Sequence, residues 1–182
     1  MNKNVLLLLG SPRKNGNTSF LASEFARGAK ENGAQVESVF LREKEMKDCL
    51  GCGVCQQNGG SCIQKDDMEV IYQQMRKADV IVFATPVYFY SWTSYMKRLI
   101  DRTFAVEKLL ENKTFCLLCA GAATEESYMQ TLCDSYEKYI SCFRGEGNRN
   151  GGVVIACGTN MPKDTEGSEA AEKAYQLGKK LA

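Results

Sequence analysis

The chain has 182 residues, 44% of them hydrophobic, which is enough for one sizeable core and predicts a single domain over residues 1–182. Its 23 Lys and Arg against 22 Asp and Glu leave a formal charge of +1, which gives no electrostatic reason to expect nucleic acid or an anionic membrane as partner. Histidine is absent, which excludes mixed cysteine–histidine zinc sites and any nucleophile paired with histidine.

Met1-Asn2-Lys3-Asn4 leads straight into the apolar run Val5–Leu9. A secretory signal needs a longer apolar region and a small-residue cleavage site, so a cytoplasmic location is expected. No apolar run reaches the roughly 18 residues that a membrane span takes. The unbroken run Val5–Leu9 itself suits a strand buried on both faces. Phe20–Lys30 is predicted helical, with Leu21, Phe25 and Ala29 on one stripe and Glu24, Arg27 and Lys30 among them.

Between strand and helix stands Gly10-Ser11-Pro12-Arg13-Lys14-Asn15-Gly16-Asn17-Thr18-Ser19. Such a turn suits a phosphate, because free N–H groups at a helix start point at the anion and the helix dipole favours negative charge. Ser11, Thr18 and Ser19 add hydroxyl donors, Asn17 an amide, and Arg13 a fork matched to phosphate oxygens. An ordinary turn capped by Asn17 or Thr18 is the plainer reading. Capping alone does not call for so many donors. No Gly-Lys-Ser/Thr follows, and the G-x-G-x-x-G spacing is missing, so this is neither a P-loop nor a dinucleotide turn.

Asn32-Gly33 stops the helix. Gln35–Leu41 is a short second strand. Glu43–Lys65 is a long loop rich in Gly and Cys, and loops of that length are usually functional. Asp66–Lys77 is predicted helical, with an acidic start and the stripe Met68, Ile71, Tyr72 and Met75. Asp79–Thr85 is a third strand, ended by Pro86. A long helix over Ser91–Leu110 carries Trp92, Tyr95, Met96, Leu99, Ile100 and Phe104 on its stripe. Thr114–Ala120 is a fourth strand stopped at Gly121, Glu125–Phe143 a helix, Gly145–Gly152 a loop, Val153–Cys157 a fifth strand and Gly167–Ala182 a closing helix. The alternation predicts a three-layer α/β fold, an open parallel sheet covered on both faces. The length fits strand order 2-1-3-4-5, with the ligand outside the carboxyl ends of the strands. That selects the loops after Leu9, Thr85 and Ala120, and it sets Gly145–Gly152 at the opposite end.

The loop after the third strand is aromatic. Pro86, Val87, Tyr88 and Phe89 do not fall on a helix stripe, and they offer a planar ring something to lie against. Core or subunit contacts are the plainer reading for Trp92 and Tyr95. Gly121 and the small residues after it permit close backbone approach, as they do in any strand-to-helix turn. Cys49, Cys52, Cys55 and Cys62 have the spacing C-x2-C-x2-C-x6-C, so four thiols in one loop can surround one compact inorganic cluster. A four-thiolate zinc site is the metal alternative, and a loop that ligates nothing is the plain one. Nine cysteines cannot all pair within one chain, and without a secretory signal a disulfide framework is not expected. Cys116 and Cys119 sit three apart on a strand, hence on opposite faces, and are read as core thiols.

The turn GSPRKNGNTS resembles the GSPR-x-x-GNT/S loop of the NAD(P)H-dependent FMN reductase family, flavodoxin-like proteins in which the loop holds the FMN phosphate. The family's P-x-Y and K-x-x-I/L-D-R patterns are matched by Pro86, Tyr88, Lys97, Ile100, Asp101 and Arg102. Iron–sulfur flavoproteins of the same family ligate a [4Fe–4S] cluster through a compact cysteine motif. The resemblance implies a flavodoxin-like domain that binds FMN through Ser11, Arg13, Asn17, Thr18, Ser19, Pro86, Val87, Tyr88, Phe89 and Gly121. It implies hydride transfer from NAD(P)H and delivery of electrons to a flavin, quinone or protein acceptor. A [4Fe–4S] cluster would sit on Cys49, Cys52, Cys55 and Cys62. A homodimer is expected from the resemblance and from the stripe near Trp92. The flavin carries the chemistry, so no protein acid or base is called for, in keeping with the missing histidine. Two other readings stand beside this one: a non-enzymatic FMN electron carrier and a zinc-loop structural module without flavin.

Overall fold

The computed structural model describes residues 2–182. Five strands, β1 (Asn4–Leu9), β2 (Gln35–Phe40), β3 (Val80–Pro86), β4 (Thr114–Ala120) and β5 (Arg149–Ala156), form one parallel sheet in the order β2-β1-β3-β4-β5. The helices are α1 (Asn17–Glu31), the single turn α2 (Val54–Gln57), α3 (Met68–Lys77), α4 (Ser94–Arg102), α5 (Gln130–Ser141) and α6 (Glu169–Leu181). This is the flavodoxin-like order 2-1-3-4-5 that the chain length fits, and the sheet is parallel as the alternation of strands and helices predicts. Among the described residues no helix is long and apolar enough to cross a membrane.

The two-residue period of the strands divides the core. Leu6, Leu8, Ile81, Phe83, Phe115, Leu117 and Cys119 pack with α3, α4 and α5 on one face. Val5, Leu7, Val82, Ala84, Cys116, Leu118 and Ala120 pack with α1 and α6 on the other. Cys116 and Cys119 therefore face opposite layers, both fully buried. Burial pushes the Cys116 thiol up to about 12, and the Cys119 thiol, beside Cys133 and buried, is also raised. Neither has the exposure of a reactive thiol.

Three elements differ from their sequence patterns. The long helix expected over Ser91–Leu110 is α4 alone, followed by a 3₁₀ turn at Thr103–Val106. Its start is moved back because Thr93 is the N-cap, its Oγ1 accepting from Met96 N–H at 3.3 Å. The helix expected over Glu125–Phe143 opens as a 3₁₀ turn, Glu126–Met129, before α5. β5 begins at Arg149 rather than Val153, so half of the presumed Gly-rich loop is strand. Asn150 pairs with Phe115 and Gly152 with Cys116, leaving Gly151 as the extra residue of a bulge. A Cβ on Gly151 would stand 2.5 Å from Thr114 Cγ2. The glycines mark close strand packing here, not an open loop.

Candidate functional site

Thr93 and Gly10 bring the first turn against α4. Thr93 Oγ1 donates to Gly10 O at 2.7 Å, and a Cβ on Gly10 would stand 2.9 Å from Met96 Cβ. The chain then turns through Ser11, whose Oγ accepts from Arg13 N–H at 3.1 Å. α1 begins at Asn17, three residues before the predicted start at Phe20, and its N-cap is Gly16, so no side chain caps the helix. The first-turn N–H groups and the positive end of the dipole are left open toward the space beside Ser11 and Thr18.

The loop after β3 is held to the next strand by Val87 N–H on Ala120 O at 2.8 Å. Tyr88 and Ser91 exchange both N–H···O bonds, at 3.1 and 3.0 Å, and close a two-residue turn. Phe89 and Tyr90 occupy it with φ of 48° and 62°, the left-handed geometry that Asn-Gly usually supplies. Two bulky aromatic residues pay for that conformation with about 1–2 kcal/mol each. Replacing Phe89-Tyr90 with Asn-Gly is expected to raise stability by a net ~1–2 kcal/mol, read as a higher urea midpoint with unchanged slope. A midpoint that stays or falls would show that the two rings stabilise the fold by more than their turn costs.

Gly121 lies at the end of β4. Its N–H bonds Ala156 O at 3.0 Å, and its O accepts from Thr159 N–H and Oγ1 at 2.9 and 3.0 Å. A Cβ there would meet Met129 Cε at 2.4 Å and Val87 Cβ at 3.3 Å, so a larger residue would require the Met129 side chain to move.

These turns enclose a cavity of about 240 Å³ at the carboxyl end of the sheet. It gathers Ser11, Arg13, Asn17 and Thr18 from the first turn, Pro86, Val87 and Tyr88 from the second, and Gly121 from the third. Two residues that the sequence places in the site lie elsewhere. Ser19 points back, its Oγ donating to Arg13 O at 3.3 Å. Phe89, at the tip of the left-handed turn, is 98% exposed. Asn17 lines the cavity, but its amide is engaged with the loop after β5: Nδ2 donates to Met161 O at 2.9 Å and Oδ1 accepts from Thr165 Oγ1 at 3.3 Å. That loop also brings Thr159, Asn160 and Pro162 to the rim, residues that sequence reasoning missed. The rule that ligands sit beyond carboxyl strand ends would have found them had it been carried to β5. Trp92 gives no subunit surface, since it is buried against Phe83 and Tyr139 and its Nε1 donates to Ser135 Oγ at 2.9 Å.

The cavity fits FMN in character. It has an uncapped helix start and a cation for the phosphate, the small residues Gly16, Gly121 and Ala122 along its wall, and a tyrosine ring at one side. Among the described residues, Arg13 and Tyr88 are the only titratable side chains in its lining.

The cysteine loop lies apart from this lining. Cys49 and Cys52 are exposed, Cys55 and Cys62 half-buried. Among the described residues no three Cys, Asp or Glu side chains are gathered at metal-binding distance. The donor set still has the chemistry of an iron–sulfur site, four soft thiols without a competing imidazole. Gly51, Gly53, Gly59 and Gly60 all have positive φ, so the backbone between the thiols folds tightly. Burial pushes the Cys55 thiol up, and the neighbouring Cys62 and Cys49 sulfurs add to the effect. At the foot of the loop, burial works against ionisation of Asp66. The Arg102 fork and the N–H groups of Lys47 and Met68 outweigh it and hold the carboxyl below its ordinary value.

The sequence model of the family described as NADPH-dependent FMN reductase matches residues 3–132. The chain belongs to that family. It is an NAD(P)H-dependent oxidoreductase, and the reading as a zinc-loop module without flavin is set aside. An iron–sulfur flavoprotein of Methanocaldococcus jannaschii is 30% identical to it over 187 residues, covering 98% of this chain and 95% of that one. Another, from Archaeoglobus fulgidus, is 30% identical over 185 residues, covering 96% and 77%. An NAD(P)H:quinone oxidoreductase from Methanothermobacter marburgensis matches the fold with a TM-score of 0.81 over 100% of this chain and 96% of its own, at 16% identity. An FMN-dependent NADH-azoreductase from Bacillus anthracis, solved in complex with FMN, matches with a TM-score of 0.71 over 98% and 99%, at 18% identity. At these identities the two structures speak to the fold.

Proposed function

We propose that this chain, as one FMN-binding domain, takes hydride from NAD(P)H and passes electrons to a flavin, quinone or protein acceptor. The observation that carries the reading is the convergence of an uncapped α1 start, Arg13 and the Pro86–Tyr88 and Gly121 backbones on one cavity. Ser11, Thr18 and Arg13 bind the phosphate, and the Val87–Tyr88 segment lines the flavin ring. Bound FMN supplies the hydride-accepting chemistry. The protein positions the ring and limits water, and among the described residues no carboxylate or lysine lines the cavity.

The reading extends to a [4Fe–4S] cluster on Cys49, Cys52, Cys55 and Cys62. Its support is the donor set and the iron–sulfur flavoprotein names of the relatives. Protein purified without oxygen is expected to carry FMN with iron and sulfide near four each per chain, about the content of one [4Fe–4S] cluster. Anaerobic mixing with NADH or NADPH is expected to bleach the flavin absorbance. FMN that neither nucleotide reduces would make the chain an electron carrier instead. Protein that takes up no FMN would end the reading altogether.

A further inference from the structure

Arg102, the last residue of α4, is folded away from solvent into the foot of the cysteine loop. Its side chain is 1% exposed and that of Asp66 3%. Nη1 donates to Asp66 Oδ2 at 2.6 Å and to Lys47 O at 2.7 Å. Nη2 donates to Asp66 Oδ1 at 3.1 Å and to Cys62 Sγ at 3.5 Å. Nε is buried with no partner. Asp66 Oδ2 also accepts from Lys47 N–H at 2.9 Å. One guanidinium thus joins residue 47, residue 62 and residue 66, the two ends of the segment that contains all four thiols.

The contacts around it form a clasp. Asp67 N–H bonds Glu45 O at 3.0 Å, and Asp67 Oδ2 accepts from Glu45 N–H at 2.8 Å. Gln64 Nε2 donates to Asp48 O at 2.9 Å, and Arg98 Nε to Asp48 Oδ1 at 2.8 Å. Tyr72 OH donates to Arg102 O at 2.7 Å, which fixes the helix end. A bidentate arginine–carboxylate pair is geometrically strict, so the Cys62 sulfur has a defined donor. A pair this buried is weak ground for stability, since desolvation offsets much of the attraction. Its use must be sought in what it orients.

We infer that Arg102 is a positioning residue for the cysteine site, holding Cys62 in place and donating a hydrogen bond to its sulfur so as to raise the reduction potential of the cluster. The inference rests on the [4Fe–4S] reading above. Reduction adds negative charge to the cluster and its sulfurs. Asp66 balances the guanidinium charge, so the N–H donor beside one sulfur is what favours the reduced form, which is how protein groups tune such centres.

The test compares anaerobically purified wild type with Arg102→Lys and with the double variant Arg102→Gln, Asp66→Asn, by iron and sulfide assay and by redox titration. Lysine keeps the charge, but a single ammonium lacks the fork that spans Asp66 and Cys62. The double variant keeps a neutral pair at the clasp. A more negative midpoint in an iron-loaded variant is expected, with flavin potential unchanged. An iron-loaded variant with the wild-type midpoint overturns the inference and leaves the cluster reading standing. Wild type without iron overturns both. Variants that lose iron while FMN affinity and the urea midpoint of the iron-free protein match those of iron-free wild type also uphold the positioning of Cys62. Iron loss together with a lower midpoint in that iron-free comparison overturns it, since Arg102 would then serve only the fold.

Discussion

Arg13→Ala is expected to weaken FMN by roughly tenfold or more while leaving riboflavin nearly unaffected. Riboflavin lacks only the phosphate, and among the described residues Arg13 is the one cation in the cavity lining. A charge-assisted hydrogen bond is worth about 1.5–3 kcal/mol, which is roughly tenfold and upward in affinity. Thr18→Ala should act in the same direction, since Thr18 stands in the uncapped first turn of α1. Asn17→Ala is the contrast. Its amide holds the loop of Met161 and Thr165, so its loss should loosen the rim and weaken both ligands alike. Fluorescence titration of apoprotein with each ligand reads all three. Equal weakening of FMN and riboflavin by Arg13→Ala would mean that the first turn does not bind the phosphate.

The strands were legible because β1, β3 and β4 are buried on both faces, and such strands are written as plain apolar runs. The first turn was legible for another reason, since small, hydroxylated and cationic residues between a buried strand and a helix have few other uses. What the sequence concealed depends on distance or on broken rules. The partners of Asn17 lie 144 and 148 residues away, so its role as a tie between two loops has no local sign. Phe89-Tyr90 carries no Gly or Asn, and a left-handed turn built from two aromatics is invisible to turn chemistry. In the sequence Arg102 is only the last member of the K-x-x-I/L-D-R pattern, which does not say what it faces. Only the fold shows that Asp101 stays outside with Lys97 at 2.5 Å while Arg102 turns inward to Asp66 and Cys62.

Gly28→Ala and Gly178→Ala are each expected to cost about 2–3 kcal/mol of stability. A Cβ on Gly28 would stand 2.1 Å from Tyr175 O, and one on Gly178 would stand 2.1 Å from Phe25 O. The α1 and α6 backbones therefore touch at two reciprocal points, and a methyl group at either must push the helices apart. Neither glycine has a positive φ, so the requirement is for space alone. Overpacking typically costs 1–3 kcal/mol, and a backbone carbonyl has less room to yield than a side chain. Alanine returns about 1 kcal/mol through helix propensity, so a net loss places the clash well above that gain. The same seam holds Asn32 Nδ2 on Lys179 O and Ala182 O, at 3.1 and 2.8 Å. It also sets the cavity, because α1 begins at the phosphate turn and α6 follows the loop of Thr159 and Asn160. FMN affinity is therefore expected to fall together with the urea midpoint, although neither glycine lines the cavity. The two substitutions strain one contact, so the double variant should lose less than the sum of the singles. Single variants as stable as wild type would mean that α1 and α6 do not meet along this seam. Lost stability with undiminished FMN affinity would mean that the seam does not position the phosphate turn.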